Sequence, residues 1–243
     1  MGRSVLWLVA SAFVASAALS GCFHNPAAVA VDQFLSGNVY TRLHVEIDHQ
    51  QGKAPHASAQ DMLRNRILER CNKPDGVQIQ VTPFPESDDT WTLSEIKALE
   101  KLKRDNGASG NTAVLYILYL GGKYETEGVI GVQYGPTSFA LFKDTIANAA
   151  NPTNPVLPLA FTATDVERSV IVHEFGHVLG LVNHGTPMVR DHEDKERPGH
   201  SKNKDSVMYY AVESLFLGQV FSGPPPTNFD ADDIADLRAA GGK

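Results

Sequence analysis

The stretch HEFGHVLGLVNHG, residues 173–185, holds the side chains of this chain best suited to chemistry. His173 and His177 are four apart, so in a helix both imidazoles project from one face. Glu174 stands between them, and Gly180 follows three residues after the second histidine. Paired neutral imidazoles are ligands for Zn²⁺, which takes ring nitrogens at about 2.0–2.1 Å and in catalytic sites keeps one position for water. A carboxylate beside that water can take its proton. The spacing therefore predicts one catalytic zinc, with His173 and His177 as ligands and Glu174 as general base.

A helix must carry these groups. TATDVERSVIVHEFGHVLG reads as one running from a Thr164–Glu167 capping box to Gly180. It is apolar nearly all round, through Val170, Ile171, Val172, Phe175, Val178 and Leu179, and so should be buried. Two imidazoles and a carboxylate are costly in such a helix unless something satisfies them, and a metal does so. A chance HExxH match arises in roughly one chain in a hundred of this length. Chance does not also supply a capped, buried helix around it.

The extended pattern His173-Glu174-x-x-His177-x-x-Gly180 resembles the metzincin clan of zinc peptidases. SVMYY, residues 206–210, is similar to the methionine turn of that clan, with Met208 as the turn residue and Tyr210 two beyond it. The resemblance spans most of residues 40–240. It implies that Gly180 lets the chain leave the helix sharply, that a third ligand follows three residues later, and that Tyr210 stabilises an oxyanion at the metal. It also implies a zinc metalloendopeptidase acting on peptide or protein substrates.

The departure is at position 183, where the resemblance calls for histidine or aspartate and the chain has Asn183. An amide oxygen suits zinc less well than a nitrogen or thiolate. His184 is adjacent, but successive side chains of an extended segment point opposite ways. His192 follows a Gly185-Thr186-Pro187 turn that can fold the chain back, with Asp191, Glu193 and Asp194 around it as candidate supports. His200 lies farther off, in the polar PGHSKNKDS. His192 is the first candidate for third ligand, with Asn183 and His184 as alternatives.

The rest of the chain has to build a scaffold for this helix. RLHVEIDH alternates Leu43, Val45 and Ile47 with His44, Glu46 and Asp48, the mark of a half-buried strand. SAQDMLRNRILERC has helical spacing, with Ser58 as N-cap. GVQIQVTPF reads as a second strand and TLSEIKALEKLKRD as a second amphipathic helix. NTAVLYILYL is a continuous apolar run, as in a central strand covered on both faces. GVIGVQYG and TSFALFKD read as a strand pair, the latter as an edge that could bind substrate by strand addition. NPTNPVLP and SGPPPTN are irregular connections, and NFDADDIADLRAAGG is a last helix capped by Asp230.

This order predicts an α/β sandwich on a mixed sheet. The resemblance refines it to a zincin-like α+β fold: a twisted mixed sheet with an antiparallel edge strand, a long active-site helix, a methionine turn and a C-terminal helix.

Composition bounds the setting. The chain has 243 residues and a formal net charge of −7, and nothing in it resembles a basic nucleic-acid footprint. Residues 1–21 read as a secretory signal, with Arg3 before an apolar run from Val5 to Leu19. LSGC, residues 19–22, resembles a bacterial lipobox, which implies that Cys22 becomes a lipidated N-terminus. Residues 22–37 then read as a tether and 38–243 as a single zincin-like domain. Cys71 would be the one remaining cysteine, a small buried thiol on a helix.

The reading is a lipid-anchored zinc peptidase of the bacterial cell envelope, at the periplasm or outer membrane. Its alternatives are a non-catalytic binding lipoprotein on the same fold and a zinc hydrolase of a non-peptide amide.

Overall fold

The structure is a computed structural model that describes residues 29–151 and 161–243. The expected signal segment and Cys22 lie outside the described residues, as does most of NPTNPVLP. Among the described residues no helix is long and apolar enough to cross a membrane.

A five-stranded sheet forms the frame. Strands β1 (Arg42–Gln50) and β2 (Val77–Phe84) are joined by helix α1 (Ala57–Arg70). After a short strand β3 (Thr90–Trp91), helix α2 (Leu93–Lys103) leads into β4 (Thr112–Leu120). Strand β5 (Lys123–Tyr124) pairs with β3 apart from the main sheet. Strands β6 (Gly131–Gly135) and β7 (Ser138–Phe142) form a hairpin, followed by α3 (Lys143–Ala150) and the long α4 (Ala163–Val178). The chain ends with a 3₁₀ turn (Tyr210–Glu213), α5 (Leu217–Val220) and α6 (Ala231–Ala239).

The main sheet runs β2-β1-β4-β7-β6. All its pairings are parallel except β6 with β7. The fold is thus a mixed α/β sheet with an antiparallel edge, as expected. The edge beside the hairpin is β6, however, and not the TSFALF strand, which lies inside between β4 and β6. TSFALF is too apolar for a rim: all five residues of β7 are buried.

The central strand β4 explains the layering. Ala113, Leu115, Ile117 and Tyr119 face one core, shared with Leu63, Ile67, Val170 and Phe175 of α1 and α4. Tyr116, Leu118 and Leu120 face the other, shared with Ile96 and Leu99 of α2. Each large apolar side chain so buried contributes about 1.5–3 kcal/mol.

The polar face of β1 is buried too, contrary to the half-exposed expectation. Glu46 accepts the backbone N–H groups of Asp105 and Asn106, and Asp48 accepts the Tyr116 hydroxyl at 2.8 Å. These bonds offset the desolvation of two carboxylates.

Two further boundaries differ from the sequence reading. Residues 22–37 are not all tether: Phe34 and Leu35 are fully buried, and the Phe34 ring meets Phe175 edge-on at 6.3 Å between centroids. Helix α1 is capped by His56, whose Nδ1 accepts the Ser58 N–H, so Ser58 is inside the helix. Cys71 is a buried free thiol at the end of α1, and burial pushes its pKa up to about 12.

Candidate metal centre

Helix α4 starts two residues earlier than the sequence reading places it. The capping box is Thr162 with Asp165, in which each side chain accepts the other's backbone N–H. Glu167 is instead buried, accepting from Lys143 at 2.5 Å and from the backbone of His56 at 2.8 Å. Those bonds anchor α4 to α3 and to the start of α1.

The helix carries His173 and His177 on one face, their ring centroids 4.7 Å apart and their Nε2 atoms 3.0 Å apart. His173 Nδ1 lies 2.7 Å from the Val207 carbonyl, an acceptor, so that nitrogen carries the ring proton and Nε2 presents a lone pair. Gly176, between the histidines, leaves room for Met208, which is fully buried against the helix.

After α4 the chain turns back at Gly180, whose φ is +75°. A Cβ there would lie 2.7 Å from the Thr186 nitrogen. Thr186 closes the turn, with its N–H donating to Gly180 O and its hydroxyl to Leu179 O.

Val182 and Asn183 both adopt left-handed backbone, at φ 55° and 62°. Asparagine tolerates that region; a β-branched valine does so at a cost on the order of 1–3 kcal/mol. The coil leaves Asn183 exposed, with its amide 3.4 Å from Glu193. His184 is exposed as well, with Nε2 3.0 Å from the Gln133 side-chain oxygen on β6. Its ring lies 5.6 Å from that of His177. Neither residue belongs to the histidine cluster.

His192, the first sequence candidate, is buried elsewhere. Its Nε2 is 2.9 Å from Asp236 and its Nδ1 3.7 Å from Asp233, both on α6. The turn at residues 185–187 does fold the chain back, but it brings His192 against α6 and not against α4.

The third imidazole is His200. A loop from Glu193 to Ser201 is closed by an antiparallel bridge between those residues and by the Asp194 N–H bond to His200 O. Ser201 N–H donates to Met208 O, which ties the loop to the methionine turn. The His200 ring is thereby stacked on His173, 5.3 Å between centroids and 20° between planes. It stands 5.1 Å from the His177 ring.

A fourth group, Glu213, was not singled out in the sequence. It ends the 3₁₀ turn that follows the methionine turn, five residues beyond Met208. Its carboxylate is 3.5 Å from His173 Nε2, 4.0 Å from His177 Nε2 and 3.0 Å from His200 Nε2. Donor atoms of His173, His177, His200 and Glu213 all lie within 4.8 Å of one another. Tyr210, one 3₁₀ turn earlier, places its ring under the Arg197 guanidinium at 3.8 Å and against Tyr209. Among the described residues its hydroxyl has no hydrogen bond to this cluster.

Glu174 is fully buried, and neither of its oxygens has a hydrogen-bond partner among the described residues. It packs on the edge strand, where a Cβ at Gly131 would meet its Oε1 at 2.6 Å. Burial, then the charge of Glu213, pushes its pKa well above the usual range. Burial and then His173 push the His177 pKa well down. Burial works to raise Glu213, but bonding to His173 and His200 more than offsets it and holds the carboxyl low.

These features fit a metal. Ring nitrogens of His173, His177 and His200 converge beside a low-pKa carboxylate, with the Nε2 atoms of His173 and His177 only 3.0 Å apart, and both oxygens of the buried Glu174 lack partners among the described residues. Buried polar groups left so cost about 1–3 kcal/mol each. Three imidazoles with one oxygen donor are a zinc-type donor set.

No protein-family model matches the chain, and no curated protein matches it in sequence. Among solved structures it is similar to the crystal structure of archaemetzincin from Methanopyrus kandleri, with a TM-score of 0.51. The match covers 82% of this chain and 96% of that one, at 16% sequence identity. The fold is that of an archaemetzincin-like zincin. At this identity the likeness establishes the scaffold alone, and the histidine cluster stands on its own geometry.

Proposed function

We propose that this protein is a zinc-dependent metallopeptidase whose ion is held by His173, His177 and His200. The observation that carries the reading is the convergence of these three imidazoles beside Glu174, a fully buried carboxylate without a partner. A zinc ion held there would supply Lewis-acid polarisation of a scissile carbonyl and would lower the pKa of a bound water. Glu174 would act as the general base toward the attacking water and would pass the proton to the leaving amine. Gly131 lets the β6 backbone approach the carboxylate closely. His184, bonded to Gln133 of β6, joins the loop after α4 to that same strand.

The test is hydrolysis of a broad peptide library by zinc-loaded protein. Glu174→Gln is expected to keep the zinc and lose activity by about 10²–10⁴-fold, the span of general-base contributions. Zinc-loaded wild type that cleaves nothing in the library rejects the peptidase reading.

One observation favours a second reading. Glu213 stands close enough to join three imidazoles in a closed four-ligand set, as in structural zinc sites. The protein would then be a non-catalytic binding module, and zinc exchange would be slow with or without Glu174.

We further propose that Cys22 is lipidated and holds the protein at the cell envelope, on the strength of the LSGC segment. More than one acyl chain is needed for stable anchoring, at about 0.8 kcal/mol per buried CH₂. Cys22→Ser is expected to leave the protein uncleaved or to release it to the soluble fraction. Normal cleavage and full membrane retention of that variant exclude the anchor.

A further inference from the structure

The main sheet has two rims. One is β6, beside the histidine cluster, and the other is β2, at the far end of the order β2-β1-β4-β7-β6. Strand β2, VQIQVTPF, is 8 residues long and carries no charged side chain. A long uncharged rim is the kind of edge to which another strand adds.

The ladder with β1 decides which backbone groups of β2 face outward. Leu43 N–H donates to Gly76 O at one end, and Gln51 N–H donates to Phe84 O at the other. Leu43 is in register with Val77, so the even-numbered residues of β2 bond to β1. Val77, Ile79, Val81 and Pro83 turn their backbone polar groups away from the sheet. The Val77 carbonyl is already taken by the Arg64 guanidinium of α1 at 2.6 Å. Pro83 has no N–H to offer. The rim therefore presents both groups of Ile79 and of Val81, the Val77 N–H and the Pro83 carbonyl, and no other hydrogen bond reaches them among the described residues.

This pattern is complementary to itself. In an antiparallel pair of β2 strands with the two Gln80 residues opposed, Ile79 exchanges both bonds with Val81 of the second copy. Val77 then faces Pro83 of the second copy. Its N–H meets the proline carbonyl, while its own carbonyl, opposite the missing proline donor, is satisfied by Arg64. A slip of two residues one way sets Pro83 against the free Ile79 carbonyl. A slip the other way sets the Val81 N–H against the carbonyl that Arg64 holds.

The side chains agree with this register. Val77 and Ile79 pack against the core under α1, and alternation puts Val81 and Pro83 on that same face. Val81 is 37% exposed, and here it would cover Ile79 of the second copy. Leu68, four residues after Arg64 and so on the side of α1 that reaches β2, is another exposed apolar group.

We infer that β2 is a homodimer interface, through which two copies of this chain join their sheets antiparallel about a two-fold axis at Gln80. The occupant is a second copy because the engaged Val77 carbonyl and the absent Pro83 donor fall opposite each other in the self-pairing. Each copy uses its rim once, so the assembly closes at two. The interface lies at the opposite end of the sheet from β6 and does not depend on what the histidine cluster does.

The test is sedimentation of the full chain in mild detergent, with thiol cross-linking. Dimer mass is expected at about 100 μM, where an association of micromolar strength is near saturation. Val81→Lys replaces both symmetric apolar pairs with a charge and is expected to weaken the dimer about tenfold or more, with thermal unfolding checking that the fold is kept. Opposed Gln80 residues form a non-hydrogen-bonded pair, whose Cα separation of about 4.5 Å suits a disulfide. Gln80→Cys is expected to give a disulfide-linked dimer on mild oxidation. Gln78→Cys, displaced from the axis, should give no more than wild type, whose Cys22 and Cys71 set the baseline. A wild type that stays monomeric at that concentration overturns the proposal. So does a dimer that Val81→Lys leaves unchanged, or Gln78→Cys protein that cross-links as readily as Gln80→Cys.

Discussion

A Cβ placed on Gly176 would lie 2.2 Å from the sulfur of Met208, closer than any real contact allows. The methionine turn is thus seated in a notch that helix α4 leaves between its two histidines. Glycine within a helix costs about 1 kcal/mol relative to alanine, so the notch is kept against helical preference. Gly176→Ala should force Met208 or α4 aside, with a loss of about 1–3 kcal/mol typical of overpacking. Thermal unfolding checks the loss, and chelator competition should show weaker metal retention. Adding Met208→Ala should recover part of the stability. A Gly176→Ala protein as stable as wild type contradicts the packing.

His200→Ala should lower zinc affinity at the histidine cluster by on the order of 100-fold or more, beyond the usual effect of losing a supporting residue. Asn183→Ala and His184→Ala should stay close to wild type, since neither side chain joins the cluster. Competition with a chromophoric chelator measures all three. Loss of the metal from His184→Ala with retention in His200→Ala would reverse the assignment.

Glu213→Ala separates the two readings of the centre. If the three imidazoles suffice, the variant keeps its zinc under mild dialysis and still cleaves peptide. Release of the metal on the same dialysis marks Glu213 as a required fourth ligand and favours the closed, non-catalytic site.

Asp48 supplies a pH signature remote from the candidate metal centre. Burial raises its pKa from 3.8 to about 6, partly opposed by the Tyr116 hydroxyl bond. The folded state therefore binds this proton more tightly than the unfolded chain does. Stability from this group is fully present below about pH 4 and is lost as pH rises through about 6, with an upper bound of about 3 kcal/mol. Asp48→Asn should flatten the profile of stability against pH between those values. Chemical denaturation at a series of pH values checks it. An unchanged slope would mean that Asp48 ionises normally in the fold.

The sequence by itself determined the local half of this protein. Alternation and apolar runs placed β1, β2, β4 and the β6–β7 hairpin, because a strand's side chains must match the faces it meets. Helical spacing put His173, Glu174 and His177 together, since residues four apart share a face whatever else the chain does. Met208 was legible through a motif, although the Gly176 notch that receives it was not.

Tertiary structure decided the rest. Four candidates followed Gly180, and local rules could not rank them, because the left-handed turn at Val182 and Asn183 reverses the side-chain register that extended geometry assumes. Which histidine arrives at the metal centre depends on distant pairings. Ser201 bonds Met208 and so delivers His200, while Asp233 and Asp236 of α6 draw His192 away. Glu213 enters the same way, on a turn whose direction is set by the seating of Met208 beneath α4. These contacts join segments tens of residues apart, and their energies are realised only once the sheet and helices have closed around them.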